Sequence, residues 1–132
     1  MNLGASTTVS NLKNTYGSVR VQMHPDQASE DTKRMFQGPI IGDFVRTAIG
    51  TRILTGSCLN TGSMIALSNY APKCSKPFGF YTDDSPDGEP YDPDKFIATA
   101  QAMLARRKVE MTKEFEGKLR KLMVNRGKIG QK

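Results

Sequence analysis

Hydrophobic and small polar positions recur with a period of six along residues 41–70. The segment reads as five hexads, IGDFVR, TAIGTR, ILTGSC, LNTGSM and IALSNY. The first column is mainly aliphatic and consists of Ile41, Thr47, Ile53, Leu59 and Ile65. The fifth column is mainly small and consists of Val45, Thr51, Ser57, Ser63 and Asn69. The fifth residue of one hexad and the first of the next are two apart, so they face the same side of a short strand. The pattern therefore predicts short strands around a narrow interior.

Glycine occupies the fourth column in three of these hexads, at Gly50, Gly56 and Gly62. A residue without Cβ tolerates bend conformations that other residues avoid, so these positions are predicted corners before each strand. Hexapeptide repetition is typical of a parallel β-helix. The alternative is an ordinary β-rich domain in which the spacing of the glycines is coincidental.

A second patch with the same pattern precedes the hexads, because Leu3 and Val9 are also six residues apart. Leu3 and Ile41 are separated by two more than a multiple of six, so the register breaks between the patches. We predict an excursion loop at residues 16–39 and a wrapping loop at residues 71–91. Residues 1–91 are thus one predicted β domain.

The remaining residues, 92–132, predict a long amphipathic basic helix and tail. Because a continuous helix here would be unusually long, it either splits or spans several coils or a neighbouring subunit. Asp92 is the expected N-cap and Pro93 the first helical residue. The helix is expected to end within residues 125–130. Its apolar stripe has helical spacing and consists of Phe96, Ala100, Met103, Leu104, Met111, Phe115, Leu119 and Leu122.

The net charge of +6 lies entirely in this C-terminal segment. Residues 1–91 carry eight basic and eight acidic side chains, whereas residues 92–132 carry eleven basic and five acidic ones. Such a tail could neutralise nucleic-acid phosphates. The interspersed glutamates and the apolar stripe instead favour a solvated helix face, so nucleic acid is not an expected partner.

The cellular compartment is predicted from the apolar segments, the first residues and the cysteines of the sequence. No apolar run approaches the length of a membrane span, and the first residues do not form a signal peptide. The two cysteines, Cys58 and Cys74, have no partners at metal-ligand spacing. We interpret them as free thiols in a reducing cytoplasm.

The segment NLGASTTVSNLKNTYGSVRV followed by IIGDFVRTAIGTRILTGS resembles a known family over nearly the whole chain. It is similar to the C-terminal domain of bacterial sugar-phosphate nucleotidyltransferase-like proteins. These are related to the bifunctional N-acetylglucosamine-1-phosphate uridylyltransferase/glucosamine-1-phosphate acetyltransferase. The resemblance implies a single-stranded left-handed parallel β-helix, usually assembled as a homotrimer, with acetyl- or acyl-coenzyme A bound between adjacent turns. Uncharacterised members also carry a helical motif like the ARR at residues 105–107.

The resemblance also implies candidate binding residues. Asn11 matches an asparagine at the acceptor site, while Lys13, Asn14 and Tyr16 offer similar groups at positions that do not match. The alternative is that Asn11 and Lys13 cap the exit into the excursion loop. For the coenzyme, the implied contacts are the backbone edges near Ile49 and Leu67.

The catalytic parts implied by the resemblance are missing from this chain. The family's catalytic histidine lies upstream of the matched segment, as does the nucleotidyltransferase domain, so the chain looks like an excised module. His24 is the only histidine and hence the only candidate for a general base. Zinc enzymes built on such repeats need three histidines, so no metal is expected.

Two functions follow as expectations. The first is an acyltransferase-type module of a sugar nucleotidyltransferase, binding acyl-CoA and/or a sugar phosphate or nucleotide sugar, and incomplete in this chain. The second is a catalytically silent structural or trimerisation domain of such a protein. Whether the chain is itself an enzyme is left open by the sequence.

Overall fold

The computed structural model describes residues 1–126, which form ten strands and two helices. The strands are β1 (Thr8–Val9), β2 (Arg20–Val21), β3 (Glu30–Asp31), β4 (Ile40–Ile41), β5 (Arg46–Thr47), β6 (Arg52–Ile53), β7 (Cys58–Leu59), β8 (Met64–Ala66), β9 (Gly79–Thr82) and β10 (Ser85–Pro90). The helices are α1 (Pro93–Ala105) and α2 (Lys113–Val124).

Parallel pairing joins strands that are distant along the chain. Strands β4 and β7 pair with Ile41 opposite Leu59, and β5 and β8 pair with Thr47 opposite Ile65. Strand β1 pairs with β6, and β8 continues into a parallel pair with β9. Because the register is parallel, residues of one hexad column lie beside one another.

Antiparallel pairing occurs in the two segments that were predicted as loops. Within residues 16–39, β2 and β3 pair with Val21 opposite Glu30. Within residues 71–91, β9 and β10 form a hairpin whose register shifts between Ser85 and Glu89. Both segments therefore carry strands of their own.

The prediction of a single-stranded left-handed parallel β-helix is wrong. The described strands fall into four separate sheets, three of two strands and one of four, and the largest mixes parallel with antiparallel pairs. No closed or solenoid-like sheet is formed among residues 1–126. The hexad period specifies which side chains are buried, but it does not specify how many strands join a ladder or where the chain reverses direction.

The periodic positions nevertheless share one apolar core. Four aliphatic side chains, Val45, Ile53, Leu59 and Ile65, are at most 2% exposed and pack together with Ala71 and Tyr81. The small hydroxyl residues beside them, Thr51, Ser57 and Ser63, are also buried. The Ser63 hydroxyl donates to the carbonyl of Asn60 at 2.6 Å and lies 2.7 Å from the Ser75 hydroxyl. Small polar side chains thus fill the space that the aliphatic ones leave.

Of the alternatives for the long C-terminal helix, the structure has the split one, because the helix divides at Lys108. This residue has a left-handed φ of +58°. Its N–H donates to the carbonyl of Ala105 at 2.9 Å, and the Val109 N–H reaches back to Leu104 at 3.1 Å. This pattern is a Schellman termination. A new helix then begins at Thr112, whose hydroxyl accepts from the Phe115 N–H at 3.2 Å.

The predicted start of α1 is confirmed. The Asp92 carboxylate accepts from the Lys95 N–H at 2.9 Å, and Pro93 is the first helical residue. The helix was expected to end within residues 125–130, and residues 127–132 lie outside the described residues.

The two helices form a second core against the sheet. Its buried members are Phe78, Phe96, Ile97, Ala100, Leu119 and Met123. Arg120 of α2 binds Asp94 of α1 at 2.8 Å and Glu116 at 2.9 Å. Of the predicted apolar stripe, Phe115 and Leu122 remain 37% and 43% exposed.

Position 62 requires glycine both for its backbone conformation and for its close contact with Phe78. A matched pair of substitutions separates these two effects. Gly62 has a φ of +74°, and a Cβ there would lie 2.4 Å from Cδ1 of Phe78. Gly50 has a φ of +68°, but open space surrounds the same position. Gly50→Ala should therefore lower the free energy of unfolding by about 1 kcal/mol through backbone strain alone. Gly62→Ala should lower it by about 2–4 kcal/mol, because overpacking against Phe78 adds to the strain. Urea titrations of both variants measure this, and equal losses would contradict the packing of Phe78 onto this corner.

Candidate functional site

The excursion joins the repeat where residues 11–16 lie beside residues 36–37, and we call this junction the neck. Leu12 pairs with Phe36 in an antiparallel bridge, and the Gln37 N–H donates to the carbonyl of Asn11 at 2.9 Å. A tight turn follows at once, since the Tyr16 N–H donates to the carbonyl of Lys13 at 3.0 Å. The neck therefore fixes the backbone that carries the predicted binding residues.

Two lysines approach each other beside this neck. Lys73 donates from Nζ to the carbonyl of Thr55, and its Nζ lies 3.3 Å from where a Cβ on Gly56 would be. Burial lowers the pKa of Lys73, and the positive charge of Lys13 lowers it further. Lys13 in turn donates from Nζ to the carbonyl of Ser18 at 2.5 Å. Both ammonium groups are thus held by carbonyl oxygens.

Neither ammonium group is paired with a carboxylate in the part of the chain that the structure describes. Two neighbouring cations held only by neutral oxygens retain their attraction for an anion. The Lys13–Lys73 pair is therefore the candidate functional site.

The other predicted substrate-binding residues, Asn11, Asn14 and Tyr16, lie within three residues of Lys13 along the chain, and we call them the rim of the site. Asn11 and Asn14 are exposed, and Tyr16 is 67% exposed with a left-handed φ of +57°. The structure thus places Asn11, Lys13, Asn14 and Tyr16 on one neck, where Asn11 also closes the exit into the excursion. The sequence analysis missed Lys73, which lies in the segment predicted as a wrapping loop. One sequence signal could have identified Lys73. It follows Thr55 by eighteen residues, the same sequence separation as between paired residues of β4 and β7.

His24 sits in a loop that covers strand β7. The carbonyl of the preceding residue, Met23, accepts from Nδ2 of Asn60 at 3.1 Å and from Sγ of Cys58 at 3.4 Å. Nδ1 of His24 is buried and has no hydrogen-bond partner among the described residues. A general base must reach the proton that it removes. This nitrogen is closed off from a substrate at the surface.

The two positions predicted for a coenzyme differ in their surroundings. Ile49 is 79% exposed, while Leu67 is half-buried against the first core. Gly4 packs onto the peptide next to Ile49, since a Cβ on Gly4 would lie 2.6 Å from the Ile49 nitrogen. The start of the chain therefore lies against the backbone at Ile49.

The two cysteines occupy neighbouring strand positions as free thiols. Cys58 and Cys74 face each other in a parallel bridge. Burial raises the pKa of Cys58, and burial together with the neighbouring Cys58 raises the pKa of Cys74 to about 11. Both are therefore protonated at neutral pH. Across residues 1–126, no three His, Cys, Asp or Glu side chains come together as metal ligands.

Comparisons with protein-family models, with curated proteins and with solved structures found no match to this chain. Within residues 1–126, neither helix has the length and apolar content needed to cross a membrane.

The thiols give a direct test of this geometry. The thiolate is the reactive form, so raised pKa values predict slow alkylation of the native protein. At pH 8, iodoacetamide should label both thiols more slowly in the native chain than in urea, and Cys74, whose pKa is raised to about 11, by about a hundredfold. The variants Cys58→Ser and Cys74→Ser assign each rate by mass spectrometry. Native labelling as fast as in urea would show that the loop around Met23 does not cover these thiols.

Proposed function

We propose that the chain is a binding module for a sugar phosphate or a nucleotide sugar, belonging to an acyltransferase-type protein. The observation that carries the proposal is the Lys13–Lys73 pair, two ammonium groups that interact electrostatically, are each held by a backbone carbonyl and have no carboxylate partner in the described residues.

A phosphate group suits this pair. A phosphate monoester carries a charge of about −1.5 to −2 at neutral pH, and lysine binds phosphate as a point charge. Binding would relieve the repulsion that lowers the pKa of Lys73. Because both lysines already donate to carbonyl oxygens, little further ordering of their side chains is needed.

The rim supports a sugar as the attached group. The exposed amides of Asn11 and Asn14 offer both donors and acceptors for sugar hydroxyls. Tyr16 presents an exposed ring beside them. The phosphate would thus be held by charge, and the sugar by hydrogen bonds and ring contact.

Binding is favoured over catalysis because Nδ1 of the candidate base, His24, is buried without a hydrogen-bond partner among the described residues. This same observation favours a second candidate, a catalytically silent module that assembles a homotrimer. The protonated free thiols support a reducing compartment such as the cytoplasm for either function.

Isothermal titration of the full chain with glucosamine 1-phosphate tests the proposal. Lys13→Gln and Lys73→Gln should each weaken binding about tenfold, because each removes a charge-assisted contact to phosphate. Lys95→Gln, which changes an exposed lysine on α1, is the matched control and should bind as the unaltered chain does. Glucosamine without the phosphate should not bind, and UDP-N-acetylglucosamine and acetyl-CoA distinguish the ligand classes.

The pH dependence has a defined sign. A bound phosphate favours charged Lys73, so binding takes up a proton and weakens as pH rises through the lowered pKa of Lys73. Lys13→Gln removes the neighbouring charge and should move this loss of affinity to higher pH. Absence of binding to every ligand, together with a trimer in sedimentation, would overturn the proposal in favour of the assembly module.

A further inference from the structure

A separate pocket lies between the start of the chain, the corner before β5 and the last turns of α1. Its volume is about 540 Å³, within the usual range for small-molecule sites. Three arginines line it, Arg46, Arg106 and Arg107. Phe44, Met103 and Leu104 supply an apolar wall.

Arg46 is positioned by an aromatic neighbour. Its Nη2 donates to the hydroxyl of Tyr91 at 2.8 Å, and its guanidinium lies 5.6 Å from the centre of the Tyr91 ring. Tyr91 itself packs edge-on against Phe96 in the second core. The guanidinium is therefore held in place from one side and leaves its remaining donors for the pocket.

Arg106 and Arg107 are positioned by the termination of α1. The Arg106 N–H donates to the carbonyl of Ala102 at 3.2 Å, and the Arg107 N–H donates to Leu104 at 2.8 Å. Cations at a helix C-terminus complement the helix dipole, which is a sufficient structural reason for these two. It does not account for Arg46, which comes from β5.

The three guanidinium groups have no carboxylate partner within residues 1–126. One acidic residue, Asp43, also lines the pocket, which leaves an excess of positive charge. Guanidinium groups bind phosphate oxygens in a bidentate way, and several together suit more than one phosphate group. An apolar wall beside them suits the ring system of a nucleoside.

We propose that this pocket is a second ligand site, which binds a nucleoside diphosphate. The phosphates contact Arg46, Arg106 and Arg107, while the nucleoside packs against Phe44, Met103 and Leu104. The site is independent of the Lys13–Lys73 pair.

Titration of the full chain with ADP and UDP tests this site. Arg106→Gln and Arg107→Gln should each weaken binding at least fivefold, and Arg34→Gln, an exposed arginine in the excursion, should not. Lys13→Gln should leave unchanged the component of ADP binding that Arg106→Gln and Arg107→Gln weaken, which separates this proposal from the function proposed above. Uridine and inorganic phosphate alone should bind far more weakly than UDP, because each offers only half of the contacts.

Tyr91→Phe provides a milder change than removing Arg46. It keeps the ring but loses the hydrogen bond, and should weaken ADP binding several-fold with the chain still folded by circular dichroism. If Arg106 and Arg107 only stabilise α1, their variants would lower the melting temperature while the unaltered chain fails to bind either nucleotide. That result, or ADP binding unaffected by all of these variants, would overturn the proposal.

Discussion

The structure depends on a common interior for strands that are too short to be stable alone. Most strands of the repeat are two residues long, so each ladder contributes only a few hydrogen bonds. A backbone hydrogen bond contributes about 1 kcal/mol net, whereas full burial of an aliphatic side chain contributes about 1.5–3 kcal/mol. Ile53, Leu59 and Ile65 are all buried in the same cluster. Apolar burial, more than ladder hydrogen bonding, therefore holds the separate sheets together.

This interior also positions the candidate site. Gly56 turns the chain between β6 and β7, and the corner lies so close to Val19 and Arg20 that a side chain would not fit. The excursion is thereby held against the repeat, and Lys73 lies between the two. The site forms because Gly56 has no side chain, so the excursion can pack directly over this corner.

The net charge of each segment does not show where its cations gather in the fold. Residues 1–91 are neutral overall, yet they contribute both Lys13 and Lys73. The basic C-terminal segment contributes Arg106 and Arg107 to a different place, beside Arg46. The two proposed ligand sites are thus created by the fold, which brings together cations that are far apart in sequence.

Sequence patterns predicted side-chain burial better than they predicted topology. The hexad columns correctly indicated that Ile53 and Ser57 are buried, because burial follows from local periodicity. The fold class was wrong, because the antiparallel hairpin of β9 and β10 lies in a segment without repeat signals. A split of the C-terminal helix was one of the expected alternatives, but its position at Lys108 was not predicted, because it lacks the glycine that usually marks a left-handed helix end. Lys73 was missed because it is sixty residues from Lys13 in sequence, and only tertiary packing lets the two charges interact.

Native-state hydrogen exchange tests the central claim of one shared interior most directly. The N–H groups of Thr8, Ile40 and Arg46 belong to three different sheets and donate to the carbonyls of Thr51, Ser57 and Ser63 at 2.9, 2.8 and 3.0 Å. If one core holds all ladders together, the three amides should open with a single free energy, equal to that of global unfolding. Opening free energies that differ by more than about 1 kcal/mol among them would show that the sheets are independent and contradict the account.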